Sequence, residues 1–163
     1  ICNGFQALVK SGLLPYGRLG CVCEESPTLF RNDINRHISQ MVVTRVGCVS
    51  SPWLEGMKEG ELHSIAVSHG EGKFVVNDSL ARKLFANGQV AFQYADPESG
   101  EPTMESPYNP NGSYWAIEGI VSPDGHILGK MGHSERYEPG TFRNICENRE
   151  QALFENAVKY FKR

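Results

Sequence analysis

The chain has 163 residues, of which 40% are hydrophobic and 21% are charged, and its formal net charge is -3. This composition is typical of one globular domain with an apolar core and argues against disorder. The lysines and arginines are scattered and form no basic stripe, and no apolar run approaches the roughly 20 residues that cross a bilayer. We therefore expect a soluble, cytoplasmic protein that binds neither nucleic acid nor a membrane.

The first predicted elements are a strand end, a sharp turn and a helix. Ile1 and Cys2 end the strand and Asn3-Gly4 forms the turn. Apolar residues at helical spacing then predict a helix over residues 5 to 14, which Pro15 ends. The following residues, up to about residue 36, are rich in glycine, proline, serine and charge, which predicts a long surface connection.

The rest of the chain alternates short apolar runs with loops that contain glycine and proline. The runs predict strands at residues 41–46, 63–67, 73–76, 90–94, 114–121 and 127–131. Helices are predicted at residues 79–87 and 149–162, the second with an apolar stripe made of Leu153, Phe154, Ala157, Val158 and Phe161. Strands mixed with helices predict one α/β domain over residues 1–163. Its hairpin near residue 124 adds an antiparallel extension to a mostly parallel sheet.

Cys2 has the sequence context of an activated thiol. The chain has five cysteines, an odd number with uneven spacing, which favours reduced thiols over a disulfide framework. Cys2 precedes a predicted helix, where the partial positive charge of the backbone amides favours thiolate over thiol. A nucleophile on a strand-to-helix turn also needs small neighbours, and Gly4 follows closely. Taken alone, a cysteine before Asn-Gly is more often a buried thiol at a strand end than a nucleophile.

A thiol nucleophile needs a histidine to exchange its proton, and the histidine needs a carboxylate to orient it. His133-Ser134-Glu135 offers both, because residues i and i+2 of an extended segment point the same way. Gly132 leaves room beside the ring. Taken alone, such a segment is more often part of a surface loop. Cys21 and Cys23 are spaced too closely for a usual zinc site, so no metal site is predicted.

Several ordered segments resemble those of a known enzyme family. Cys2-Asn3-Gly4-Phe5-Gln6 resembles the nucleophile elbow of class I (triad) glutamine amidotransferases, and Gly132-His133-Ser134-Glu135 resembles their His/Glu segment. The glutaminase domains of phosphoribosylformylglycinamidine synthases are the most similar, through His69-Gly70-Glu71-Gly72-Lys73-Phe74, Asn109-Pro110-Asn111-Gly112-Ser113, Ser122-Pro123-Asp124-Gly125 and Gly129-Lys130-Met131-Gly132-His133-Ser134-Glu135-Arg136. The likeness extends from residue 1 to the final helix.

The resemblance implies the flavodoxin-like fold of class I glutaminases and hydrolysis of L-glutamine to glutamate and ammonia through a thioester on Cys2. It implies that His133 is the general acid and base and that Glu135 orients it. The backbone N–H of Asn3 would stabilise the oxyanion, and Gln6 would contact the substrate. The turn at residues 69–72 would either meet the glutamine backbone or be purely structural.

The resemblance also implies a larger parent enzyme, of which residues 1–163 are part of the C-terminal glutaminase region. The strand before Cys2 and the family's earlier glycine-rich loop, which supplies a second oxyanion donor, are nearly absent, so a partial domain lacking its N-terminal part is expected. Ser134 replaces the family's usual proline, as in the large, single-chain form. The implied partner is the synthetase domain of the same parent chain. With ATP and Mg²⁺, that domain uses the ammonia to convert formylglycinamide ribonucleotide to formylglycinamidine ribonucleotide in purine biosynthesis.

Within the chain itself the resemblance implies no cofactor. Three alternatives stay open. The first is a glutaminase that serves another amidotransferase and shares the same Cys and His/Glu chemistry. The second is a cysteine peptidase or esterase built on a similar elbow. The third is a non-catalytic interaction module that kept the fold.

Overall fold

The computed structural model describes residues 1–145 and 150–162, which form an α/β structure. The helices are α1 (Asn3–Ser11), α2 (Leu13–Tyr16), α3 (Asp78–Ala86) and α4 (Leu153–Phe161). The strands are β1 (Thr28–Phe30), β2 (Ile38–Val46), β3 (Leu62–His69), β4 (Lys73–Val75), β5 (Val90–Tyr94), β6 (Ile117–Val121) and β7 (Leu128–Lys130). No helix in these two ranges combines the length and apolar character that membrane spanning requires.

The central sheet has five strands in the order β3-β2-β5-β6-β7, and β1 pairs with β4 in a second sheet. Among the described residues every pairing is antiparallel, so the predicted mostly parallel sheet is wrong for this part of the chain. Parallel neighbours need a crossover that leaves and re-enters the same sheet. The β4-α3-β5 unit has the form of a crossover, but β4 pairs with β1, so this unit joins two different sheets.

Two of the apolar clusters lie on opposite faces of the central sheet. Ile120 of β6 packs in one cluster with Phe5 of α1 and Leu84 of α3. The next residue, Val121, packs in the other cluster with Leu153 of α4. Because successive strand residues point to opposite faces, the sheet has helices on both faces. Full burial of side chains of this size stabilises the fold by about 1.5–3 kcal/mol each.

Most predicted elements are present, with shifted ends. The predicted strand at residues 90–94 coincides with β5, and the predicted hairpin turn joins β6 to β7. Helix α1 ends earlier than predicted, because Gly12 adopts φ +84° and its N–H caps the Val9 carbonyl. Strand β1 was missed: it lies within the stretch that was predicted to be an irregular connection.

Helix α4 departs from its predicted burial. Residue 149, the predicted start, lies outside the described residues, and the helix begins at Leu153. Leu153 and Ala157 are buried as predicted, but Phe154, Val158 and Phe161 are about half exposed. Helical periodicity locates an apolar stripe on a helix, and it does not determine how much of that stripe the neighbouring elements cover.

Candidate active site

Cys2 lies in a strained turn that leads directly into α1. Its φ of 52° and ψ of -110° are rare for a residue other than glycine. Its N–H donates a hydrogen bond of 2.8 Å to the carbonyl of Lys130 in β7. Asn3 is the first residue of α1, and the first N–H groups of a helix have no acceptor inside the helix. The backbone therefore holds the thiol at a helix start, beside the N–H of Asn3.

Gly4 leaves open space beside this turn. A Cβ added at Gly4 would have no heavy atom of the described residues within 4 Å. This open space is consistent with the predicted small neighbour of Cys2. The described neighbours do not themselves require a glycine there.

His133 and Glu135 form the predicted pair. Nδ1 of His133 lies 2.5 Å from Oε1 of Glu135. An ionised carboxylate only accepts hydrogen bonds, so Nδ1–H is the donor and Nε2 carries the free lone pair. Nε2 is buried and has no hydrogen-bond partner within residues 1–145 and 150–162. The segment is not extended as predicted: a 3-10 turn, Ser134–Arg136, brings the two side chains together.

The carboxyl of Glu135 is held in its charged form. Burial raises its pKa, but hydrogen bonds from the His133 ring and from its own backbone lower it. The positive charges of His133 and Arg136 act in the same direction, and the net pKa lies below the usual value. Glu135 is therefore ionised at neutral pH, and its carboxylate lies beside the imidazole of His133.

Cys2 and His133 contact β3 two residues apart. Sγ of Cys2 lies 3.7 Å from the carbonyl oxygen of Ser68. The N–H of His133 donates a hydrogen bond of 2.8 Å to the carbonyl of Ala66. Residues i and i+2 of a strand are separated by about 7 Å. The structure therefore brings the predicted nucleophile and the predicted base to the same stretch of one strand.

Gln6 joins α1 to the turn at residues 69–72. Its Nε2 donates a hydrogen bond of 3.3 Å to Oε2 of Glu71. Within the turn, Nδ1 of His69 and the N–H of Gly72 each lie 3.1 Å from Oδ1 of Asn32. These two bonds fix the turn and give it a structural role. From this turn, the exposed carboxylate of Glu71 reaches the predicted substrate residue Gln6.

The other cysteines lie in unlike settings. Cys21 and Cys23 are exposed, and Cys48 is buried with its Sγ donating to the carbonyl of Gly88 at 2.7 Å. Burial raises the pKa of Cys48. Cys146 lies outside the described residues. Of the cysteines that the structure describes, only Cys2 occupies a strained turn at a helix start.

Two buried charges beneath the His133 segment were not predicted from the sequence: Glu118 in β6 and Lys130 in β7, which are both fully buried. The available signal was a charged residue inside an otherwise apolar strand, which is rare unless the charge is paired. The two β3 carbonyls that contact Cys2 and His133 were not predicted either, because no side-chain pattern reveals a backbone contact.

Residues 1–161 match a family described as the CobB/CobQ-like glutamine amidotransferase domain. Similar proteins include those named phosphoribosylformylglycinamidine synthase subunit PurQ from Koribacter versatilis (38% identical over 136 residues), Acaryochloris marina (38% over 136 residues) and Moorella thermoacetica (35% over 140 residues). The matches cover 83%, 83% and 86% of this chain and 53%, 52% and 53% of those proteins. The chain thus spans about half the length of the curated relatives it matches.

A solved structure, that of PurLQS from Thermotoga maritima, has a similar fold. The TM-score is 0.67 and the sequence identity 24%, with 98% of this chain and 59% of that chain covered. The α/β fold is therefore that of a glutamine amidotransferase. On the match over residues 1–161, the chain belongs to the CobB/CobQ-like glutamine amidotransferase domain family.

Proposed function

We propose that the chain is the glutaminase part of a phosphoribosylformylglycinamidine synthase, in which Cys2, His133 and Glu135 hydrolyse glutamine to glutamate and ammonia. The family match and the names of the relatives support the reaction class and the synthase. These sources favour this synthase over a glutaminase that serves another biosynthetic enzyme.

One observation carries the catalytic proposal. The His133 ring has Nδ1 held by Glu135 and a buried Nε2 with no partner among the described residues. The same β3 segment that binds the His133 backbone contacts the thiol of Cys2. A base needs this arrangement, with one nitrogen oriented by a carboxylate and the other left for the nucleophile.

In the first half of the reaction, the Cys2 thiolate attacks the side-chain carboxamide carbon of glutamine. The oxygen of the tetrahedral intermediate becomes negative, and the N–H of Asn3 donates to it. The C–N bond then breaks as protonated His133 gives its proton to the leaving nitrogen. Ammonia departs, and a thioester joins Cys2 to the glutamyl group.

In the second half, His133 takes a proton from a water molecule, which attacks the thioester carbonyl. The C–S bond breaks, glutamate leaves and the thiolate is restored. Glu135 stays ionised throughout and stabilises the imidazolium that exists between the proton transfers.

Asn3 and Gln6 are the proposed substrate-binding residues. Asn3 acts through its backbone at the start of α1. Gln6 lies about one helical turn after Cys2, so its side chain is on the same face of the helix as Cys2. Its contact with Glu71 places a carboxylate beside it, which suits the positively charged amino group of free glutamine.

We further propose that the chain works as the C-terminal part of a large single-chain synthase in the cytoplasm. The relatives are named as subunits of the synthase, which supports association with a synthetase partner. That partner would bind ATP and Mg²⁺ and consume the ammonia. Ser134, where the family usually has proline, supports the single-chain form.

The test is covalent labelling of the full-length protein with a glutamine-analogue electrophile, a diazoketone in place of the carboxamide. One label per chain is expected on Cys2, because the helix start favours its thiolate and the analogue fits the glutamine site. An excess of glutamine should protect against it. Tryptic peptides analysed by mass spectrometry locate the label.

Iodoacetamide provides the control, because it should alkylate the exposed Cys21 and Cys23 without protection by glutamine. Labelling by the analogue mainly at Cys21, Cys23, Cys48 or Cys146 would rule out Cys2 as the nucleophile. Absence of any protected label would favour the non-catalytic module.

A further inference from the structure

Two opposite charges are buried below the His133 segment. Glu118 and Lys130 are fully buried on neighbouring strands, and Lys130 Nζ lies 3.8 Å from Glu118 Oε1. Such residues are almost never fully buried unless they are paired. The proposed chemistry assigns neither of them a role.

The two charges fix the backbone on both sides of His133. Lys130 Nζ donates to the carbonyl of Gly132 at 3.2 Å and to the hydroxyl of Ser134 at 3.0 Å. Glu118 Oε1 accepts a hydrogen bond from the N–H of Gly132. Gln151 completes the group, with its Oε1 2.9 Å from Lys130 Nζ and 2.6 Å from the Ser134 hydroxyl. The residues before and after His133 are therefore tied to one ion pair.

Lys130 also holds the nucleophile. Its carbonyl accepts the hydrogen bond from the N–H of Cys2. One residue thus contacts the Cys2 backbone through its main chain and the His133 segment through its ammonium group. A shift of Lys130 changes the position of the predicted base relative to the predicted nucleophile.

Gly132 packs directly against both charged groups. A Cβ added there would lie 2.9 Å from Glu118 Oε1, 3.1 Å from Lys130 Nζ and 2.7 Å from Ile65 Cγ2. Contacts this short leave no room for a side chain. The glycine that was expected to leave space for the His133 ring is required instead for the close approach of the ion pair.

Stability does not explain the pair. Burial lowers the pKa of Lys130, opposed by the charges of Glu118 and Glu135, so burying the ammonium costs free energy. Oε2 of Glu118 and Nε2 of Gln151 are also buried without hydrogen-bond partners among the described residues. Replacing a buried ion pair by uncharged groups of similar size is often neutral or stabilising. The pair is therefore explained by the backbone geometry that it fixes around His133 rather than by a contribution to stability.

We infer that Lys130 and Glu118 are positioning residues, which set the place of His133 relative to Cys2. This inference rests on the proposed glutaminase function. It predicts that the pair governs the rate of the chemical step and not the binding of glutamine, since neither side chain contacts the residues proposed to bind the substrate.

The test is the double variant Lys130→Met with Glu118→Gln in the full-length protein. It removes both charges, keeps both shapes and keeps an oxygen to accept the Gly132 N–H. The expected result is a kcat for glutamate release about 10- to 100-fold lower, the scale that a displacement near 1 Å can cost. KM should stay within about twofold. Tm is measured beside it, because Lys130→Met leaves the Gly132 carbonyl without its donor.

Asn156→Ala is the matched control. Asn156 is also buried and polar, but it donates to the carbonyls of Trp53 and Glu55. This variant should lower Tm and leave kcat per folded protein unchanged. If the double variant keeps the wild-type kcat, or loses kcat only in proportion to lost folded protein as the control does, the positioning role is wrong.

If the double variant does not fold, the single variant Ser134→Ala tests the same point with a smaller change, because it removes one contact of the Lys130 ammonium and leaves both buried charges paired. It should lower kcat at constant KM, and a normal kcat would overturn the inference. Cys2→Ala distinguishes failure of the proposed function from failure of the positioning role. A Cys2→Ala protein that still releases glutamate would disprove the proposed function itself, whereas an inactive Cys2→Ala beside a normal double variant disproves only the positioning role.

Discussion

Glu135 contacts His133 through one short hydrogen bond. A carboxylate at this position has two possible roles: it accepts a hydrogen bond from the ring, and it supplies a negative charge. Glutamine at this position would keep an oxygen that accepts from Nδ1–H, and it would lose the negative charge. Cys-His pairs depend less on a third residue than Ser-His pairs do, because the thiolate is already a good nucleophile. The charge of Glu135 should therefore assist catalysis without being indispensable.

We accordingly expect Glu135→Gln to lower glutaminase kcat by about 10- to 100-fold and His133→Ala to lower it by about 10²- to 10⁴-fold. Glutamate release at saturating glutamine measures both, and circular dichroism shows whether both proteins are folded. A fully active Glu135→Gln beside an inactive His133→Ala would remove Glu135 from the triad. Full activity of both would remove the whole triad.

His69 makes the stability of the chain depend on pH. Burial, with a smaller effect of the charges of His37 and His133, lowers its pKa from 6.5 to about 4. Between these two values the unfolded chain binds more protons at this position than the folded chain does. This contribution to stability is therefore fully present above pH 6.5 and is lost as the pH falls towards 4.

The expected loss from His69 alone between pH 7 and pH 4.5 is about 2 to 3 kcal/mol. Urea denaturation of the purified chain at both pH values measures it, by comparison with His69→Gln, which cannot titrate there. The variant should lose less stability than the wild type over this interval. An equal loss in both proteins would show that His69 is not the buried neutral group responsible.

Among the elements, α1 and β7 together place the nucleophile. A Cβ added at Gly129 of β7 would collide with the side chains of Phe5 and Leu14, so the helix lies directly on the strand. Phe5 also stacks on Phe74, with ring centroids 6.0 Å apart. Because Cys2 precedes α1 and His133 follows β7, the packing of these two elements sets the distance between the predicted catalytic side chains.

Local pattern was sufficient for individual elements and insufficient for their pairing. The apolar run at β5 and the turn chemistry before β7 are contained in a few consecutive residues, and both were predicted. The pairing of β4 with β1 depends on contacts between Thr28 and Val75, which are far apart in sequence. No periodicity within either strand contains that information, so β1 and the antiparallel pairings other than that of β6 with β7 were not predicted.

The candidate site, too, was predictable from the sequence only in part. Cys2, His133 and Glu135 were identified by side-chain chemistry and by resemblance to a family. The contacts that bring Cys2 and His133 together are made by backbone carbonyls of β3, and every residue has a carbonyl. The buried pair of Glu118 and Lys130 was visible only as two charges in apolar strands, and its geometry depends on the pairing of β6 with β7.

For the whole molecule, the candidate site combines segments from the beginning, the middle and the end of the chain. Cys2 and Gln6 come from the first turn and helix, Ser68 and Glu71 from β3 and the following turn, and His133 from the segment after β7. Such a site exists only in the folded chain. The use of the ammonia, in contrast, is proposed to lie in another domain, so ammonia production and ammonia consumption should be separable by mutation.

Cys2→Ala in the full-length protein tests that separation. The variant cannot form the thioester, so synthesis of formylglycinamidine ribonucleotide from glutamine should fall at least about 10³-fold. Synthesis from added ammonium salts should stay within about twofold of wild type, because the synthetase site receives ammonia from solution.

Cys21→Ala, at an exposed thiol, is the matched control and should retain both activities. Both rates are measured by product formation with ATP and Mg²⁺ at saturating nucleotide. Equal loss of the two activities in Cys2→Ala would mean that Cys2 supports the structure, and retention of both would mean that another group releases the ammonia.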